Sequence, residues 1–112
     1  MDHMLEALFG NRTATKVLLY LENYEEGYGK AIAETFSLPL NAVQNQLQKL
    51  EEGGILVSQL KGKTRMYTWN PRNPFLKEIR ALLEKSFEYL PEDEIKAYYR
   101  QRMRPRRAGK PL

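Results

Sequence analysis

The chain has 112 residues, of which 42% are hydrophobic and 29% charged, with no Cys and a single His. That is the size of one small globular domain, too little for a large enzyme. The longest apolar run, Val17 to Leu21, stops at Glu22 and Asn23, well short of the roughly 20 residues of a membrane span, so neither a span nor a signal peptide is expected.

Without Cys there are no disulfides, thiolate nucleophiles or Cys-bearing metal sites, which fits a reducing interior. The net charge of +4 is unevenly spread. Residues 1 to 99 hold all 14 acidic and 12 basic residues, a net of −2, whereas the last 13 residues carry six basic groups and no acid. A near-neutral body with a basic tail suits a polyanionic partner, most often nucleic acid, or a solubilising disordered terminus. The opening Met1-Asp2-His3-Met4 reads as a cloning remnant, with Met4 as the natural start.

Leu5 to Phe9 forms a short apolar helix that Gly10 ends, and Asn11 is suited to cap the next. From Arg12 to Tyr24 the positions Ala14, Val17, Leu18 and Leu21 keep the spacing of one buried helical face, and the polar stretch Asn23 to Gly29 follows. Lys30 to Phe36 is a short helix with Ile32, Ala33 and Phe36 on one side, broken at Ser37-Leu38-Pro39. Leu40 to Glu52 then carries the apolar stripe Val43, Leu47, Leu50 and is closed by Gly53-Gly54. Two helices across a three-residue break form a helix-turn-helix pattern.

Ile55 to Leu60 and Arg65 to Asn70 alternate as strands around Lys61-Gly62-Lys63-Thr64, a hairpin with a basic tip. Phe75 to Leu90 returns to helical spacing through Phe75, Leu76, Ile79, Leu82, Leu83, Phe87 and Leu90. Pro91 opens a last helix, with Glu92, Asp93 and Glu94 at its start and Arg100, Arg102 and Arg104 at its end. Its apolar face is Ile95, Tyr98, Tyr99 and Met103, and residues 105 to 112 have nothing to bury.

The order helix, helix, helix-turn-helix, hairpin is that of a winged helix. Particular segments are also familiar: Leu8-Phe9-Gly10-Asn11, Ala31 to Leu38, Val43 with Leu47, Leu50-Glu51-Glu52-Gly53-Gly54-Ile55-Leu56, and Tyr67-Thr68-Trp69-Asn70-Pro71. Over roughly Leu5 to Pro74 the chain resembles the ArsR-like winged helix-turn-helix transcriptional regulators. The resemblance implies a mainly α fold with a small β-hairpin, and dimerisation through flanking helices. It also implies binding to double-stranded DNA in the cytoplasm of a prokaryote, at the nucleoid. Two departures stand out: Pro39 replaces the usual Ser or Thr cap of the recognition helix, and the Cys and His clusters of metal-sensing members are missing, so neither metal nor cofactor is expected.

With Val43, Leu47 and Leu50 buried, the opposite face of the recognition helix presents Asn41, Gln44, Asn45 and Gln48 at the spacing of a single stripe. Asn and Gln can pair bidentately with adenine in the major groove, whereas the only carboxylates, Glu51 and Glu52, wait in the last turn, where phosphate would repel them. Lys30, Lys49, Lys61, Lys63 and Arg65 are the candidate phosphate and wing contacts. Arg104, Arg106, Arg107 and Lys110 supply a tail able to follow phosphates. Tyr67 and Trp69 share a strand face and belong to the core.

No catalytic constellation is visible, because the carboxylates occur as sequence neighbours that point apart. The expected organisation is a DNA-binding unit at 5 to 74, C-terminal helices at 75 to 104 and a basic disordered tail at 105 to 112. Leu5, Leu8, Phe9, Leu76, Ile79, Leu83 and Phe87 are expected to form a two-fold interface, unless the same helices pack within one chain. The expected function is that of a dimeric, sequence-specific DNA-binding regulator, a repressor. The competing reading is a protein-interaction winged helix working beside a nucleotidyltransferase, without operator binding. RNA is a weaker option, since the A-form major groove is too narrow for a helix.

Overall fold

The structure is a computed structural model of the chain and describes residues 2 to 99. Helix α1 spans Asp2–Phe9 and α2 spans Arg12–Tyr24. Gly10, at φ 96, breaks the path between them, and the Asn11 side chain caps α2 by accepting from the Ala14 amide at 2.7 Å. Since α1 already begins at Asp2, the stretch expected to be a remnant is helical from that residue onward.

After α2 comes strand β1, Glu26–Gly27, within the polar stretch Asn23 to Gly29, whose sequence carries no strand period. Then follow α3 (Gly29–Phe36), α4 (Leu40–Glu52), β2 (Leu56–Lys61) and β3 (Thr64–Trp69). The sheet is antiparallel in the order β1-β3-β2, with Glu26 opposite Thr68, Leu56 opposite Trp69 and Lys61 opposite Thr64. The hairpin tip is therefore a two-residue turn, Gly62-Lys63, rather than the four residues expected. Gly62 takes the positive φ of 67 that a tight hairpin turn needs.

Helix α2 sits at the centre, packed against α1, α3, α4, α5 and β1. Besides the expected stripe it buries Leu19, Thr15, Lys16 and Glu22, so nearly its whole circumference is covered, and its charged residues must find partners inside the fold. The helix-turn-helix closes through Ser37, which caps α3 at φ 56 and ψ 45. A small residue tolerates this left-handed geometry better than a branched one. At the far end of α4, Gly54 alone carries the positive φ of 80; Gly53, at φ −80, does not share that role.

The single long helix expected from Phe75 to Leu90 is interrupted. Helix α5 spans Leu76–Ser86, a 3-10 turn takes Phe87–Tyr89, and α6 spans Glu92–Tyr98. The Ser86 hydroxyl donates back to the Leu82 carbonyl at 2.9 Å, a bond that competes with the helical ladder. Phe87 turns inward onto Tyr99, with ring centroids 4.9 Å apart. Leu83, Phe87, Leu90 and Tyr99 join the same core as Val17, Leu18, Leu47 and Leu56. The C-terminal helices thus complete the domain. The expected continuation of the last helix through Met103 to Arg104, and the tail residues Arg104, Arg106, Arg107 and Lys110, lie outside the described residues.

This packing revises the expected subunit-contact set. Leu5 and Leu83 are fully buried and Phe87 is 4% exposed, all in the chain's own core, because α1 and α5 both fold back onto α2. They offer nothing to a second copy. Leu8 remains 58% exposed, and Phe9, Leu76 and Ile79 are half-buried.

Candidate nucleic-acid interface

Helix α4 turns Val43 and Leu47 inward and leaves Asn41, Gln44, Asn45, Gln48 and Lys49 exposed. The four amides therefore share one open face, opposite the buried stripe. The N-terminus of α3 abuts that face: a Cβ added at Gly29 would stand 3.3 Å from Gln44 Cγ and 3.6 Å from Leu40 Cδ1. Gly29 thus permits a close approach, and the exposed Lys30 follows it directly. Pro39 occupies the cap of α4 with no side-chain bond, and its carbonyl accepts from the Val43 amide at 3.2 Å. The helix starts at Leu40, so the missing Ser or Thr cap does not displace it.

The hairpin divides its cations between two faces. Leu56, Tyr67 and Trp69 pack inward, and strand alternation carries the same face outward through Ser58, Leu60 and Arg65, since Ser58 pairs with Tyr67 and Leu60 with Arg65. Arg65 Nη1 donates to Ser58 Oγ at 3.1 Å, and Ser58 Oγ donates to Glu51 Oε2 at 2.8 Å. The guanidinium therefore lies in the elbow between the end of the recognition helix and the hairpin.

Lys61 belongs to the other face, where its ammonium lies 3.5 Å from Glu26. That pair is solvent-exposed and contributes little, but its position separates Lys61 from the Arg65 cluster and from α4. Lys63 is exposed in the turn. Of the expected wing cations, then, only Arg65 is shown reaching back toward α4.

The base of the wing is anchored by Trp69, expected in the core, and by Arg80, which no motif in the sequence marks. Trp69 Nε1 donates to the Leu21 carbonyl at 3.3 Å, and the Arg80 guanidinium lies 5.4 Å from the Trp69 ring centroid. Arg80 also donates to Glu22 Oε1 at 2.8 Å and Glu25 Oε2 at 2.7 Å. Partial burial opposes the Arg80 charge, but the hydrogen bonds and charges of the two carboxylates outweigh it and hold its pKa above the usual arginine value. Burial raises the Tyr67 hydroxyl, with the Glu51 charge adding to the shift and Arg65 opposing it. No local sequence signal marks these contacts, because their partners are separated by 55 and 58 residues between α2 and α5.

Among the described residues no helix is long and apolar enough to cross a membrane, and no three His, Asp or Glu side chains gather as a metal cluster. No protein-family model and no curated protein matches the sequence. Two solved structures do match the fold. One is the AntR antimony-specific transcriptional repressor, with 23% identity, a TM-score of 0.58 and coverage of 78% of this chain and 79% of that one. The other is a doubly substituted variant of ZitR from Lactococcus lactis in its apo form, with 17% identity, a TM-score of 0.53 and coverage of 84% and 80%. The chain has the winged helix-turn-helix architecture of these two proteins, completed by its own C-terminal helices.

Proposed function

We propose that the protein is a double-stranded DNA-binding transcriptional regulator acting as a homodimer. The observation that carries this reading is the open amide face of α4, flanked by Lys30 on one side and by Arg65 in the elbow on the other. Asn41, Gln44, Asn45 and Gln48 read base edges in the major groove, and Lys30, Lys49, Lys63 and Arg65 bind phosphate. Lys61 leaves this set because it lies on the opposite hairpin face. The likeness to AntR, a repressor, favours repression. AntR is antimony-specific, but this sequence has no Cys and so no thiolate for a soft ion; the effector is not carried over.

Dimerisation falls to apolar residues left uncovered around α1 and the start of α5: Leu8 on α1, Phe75 at 66% exposure before α5, and the half-buried Phe9, Leu76 and Ile79. A two-fold pair would set the recognition helices about 34 Å apart, one turn of DNA. The protein-interaction alternative, which would use the aromatic C-terminal helices to bind a partner, loses part of its support, because Phe87 and Tyr99 are packed against each other inside the chain.

The test is binding to random duplex, single-stranded DNA and double-stranded RNA over a salt series, followed by randomised-site selection. Duplex DNA should bind most tightly. Gln44→Ala with Asn45→Ala should cost about 1 to 3 kcal/mol at each affected base position and relax the selected sequence. An unchanged preference would overturn the base-reading assignment. Light scattering of Leu8→Glu with Phe75→Glu should show a monomer where the parent is a dimer; a monomeric parent at tens of micromolar would overturn the dimer.

A further inference from the structure

We propose that Glu51 and Ser58 are positioning residues that hold Arg65 ready to clamp one DNA phosphate in the elbow between the recognition helix and the wing. This inference rests on the DNA-binding reading above. It also gives the acidic end of the recognition helix a task that charge alone would deny it.

The geometry is a directed chain. Ser58 Oγ donates its proton to Glu51 Oε2 at 2.8 Å, which leaves its lone pairs for Arg65 Nη1 at 3.1 Å. Glu51 belongs to the last turn of α4, Ser58 to β2 and Arg65 to β3, so three elements meet at one guanidinium. Arginine presents five N–H donors in a fixed plane, and one of them is used here, leaving others for a phosphate. A free arginine gives up rotamer freedom when fixed, and prior fixation removes part of that cost from binding.

The location suits a backbone contact. When a helix occupies the major groove and a wing approaches the neighbouring minor groove, the sugar-phosphate strand between the grooves passes through the angle between them. Arg65 faces that angle, whereas Lys61 turns away to Glu26. Leu60, paired with Arg65 and 61% exposed, lines the same side with an apolar surface suited to the sugar edge.

Simple electrostatics and this proposal predict opposite signs. Deleting a carboxylate beside a polyanion should tighten binding by removing repulsion; deleting the tether of the clamp should weaken it. The experiment measures affinity for a random 30-base-pair duplex and for a duplex recovered by selection with the parent chain. Glu51→Ala and Ser58→Ala should each weaken binding by about three- to tenfold. Glu51→Gln, which keeps an acceptor, and Ser58→Thr, which keeps the hydroxyl, should restore most of the affinity. In an Arg65→Ala background Glu51→Ala should bring no further loss, because the group it positions is gone.

Tighter or unchanged binding by Glu51→Ala would overturn the proposal, as would an equal loss with and without Arg65. A parent chain that binds no duplex would overturn the DNA-binding reading as well. A parent that binds while these variants match it would overturn the clamp alone.

Discussion

The Lys16 ammonium stands 3.3 Å from a Glu94 carboxylate oxygen, fastening α6 to the central helix across 78 residues of chain. Lys16 is almost fully enclosed, 5.6 Å from the Phe36 ring centroid and 5.7 Å from that of Tyr98. Tyr24 adds a second tie by donating its hydroxyl to the Tyr98 carbonyl at 2.9 Å. Removing Glu94 withdraws a counter-charge from a poorly hydrated ammonium. Glu94→Ala should therefore destabilise the fold by about 1 to 3 kcal/mol in urea unfolding. Lys16→Met, which fills similar space without a charge, should cost less.

Arg80 joins α5 to the end of α2 through Glu22, whose side chain is 2% exposed, and through Glu25. Arg80→Met should cost about 2 to 4 kcal/mol, because the Glu22 carboxylate loses its guanidinium. Adding Glu22→Gln removes the buried charge and should recover part of the loss. Denaturant unfolding of both single variants and the double variant measures that coupling.

Burial raises the Tyr20 hydroxyl above its ordinary value of 10.0, and the charges of Tyr24 and Tyr28 add to the shift. Below about pH 10 the hydroxyl is protonated in both folded and unfolded chains, so its contribution is fully present. As pH rises past that point the unfolded chain ionises first, and the contribution is lost through the folded-state pKa. Stability should fall as pH rises past about 10, the ordinary tyrosine value. Tyr20→Phe should fall less steeply in the same unfolding measurements.

Beyond the described residues, Arg104, Arg106, Arg107 and Lys110 are expected to add affinity without specificity. With three of these charges engaged, truncation after Met103 should flatten the slope of log affinity against log salt by roughly 2 to 3 units per chain, at about 0.9 for each phosphate neutralised. The selected sequence should not change. An unaltered slope would assign the tail to solubility or to another partner.

Much of the fold was legible because apolar spacing reports helices directly: α2 and α4 occupy the stretches expected, and Tyr67 and Trp69 lie in the core. Strand β1 was not, since two residues carry no period and only pairing with β3 defines them. The break after Ser86 was hidden for a different reason. Phe87 and Leu90 continue the helical spacing, which does not distinguish a 3-10 turn over so short a run. Periodicity identifies an apolar stripe but not what covers it, so Leu83 and Leu8 looked alike although one is core and the other open. At the candidate site, the amide face followed from the stripe opposite it. The division between Lys61 and Arg65 required the hairpin register, and the burial of Lys16 and Glu22 required α5 and α6 to close over α2.

The short pairing of β1 with β3 also bears on mechanics. Gly27 lies so close to α2 that an added Cβ would stand 2.7 Å from Tyr20 Cε1, and its neighbour Glu26 is bonded into the strand that leads to the wing tip. Swinging the base of a hairpin rooted in this way would drag the segment leading into α3 and press on the central helix. Recognition helix and wing therefore present themselves as one stiff calliper of fixed span. On the DNA-binding reading, a duplex whose groove spacing differs from that span must supply the adjustment itself. Operators rich in easily deformed pyrimidine-purine steps between the two contacts would then be favoured at positions no side chain touches.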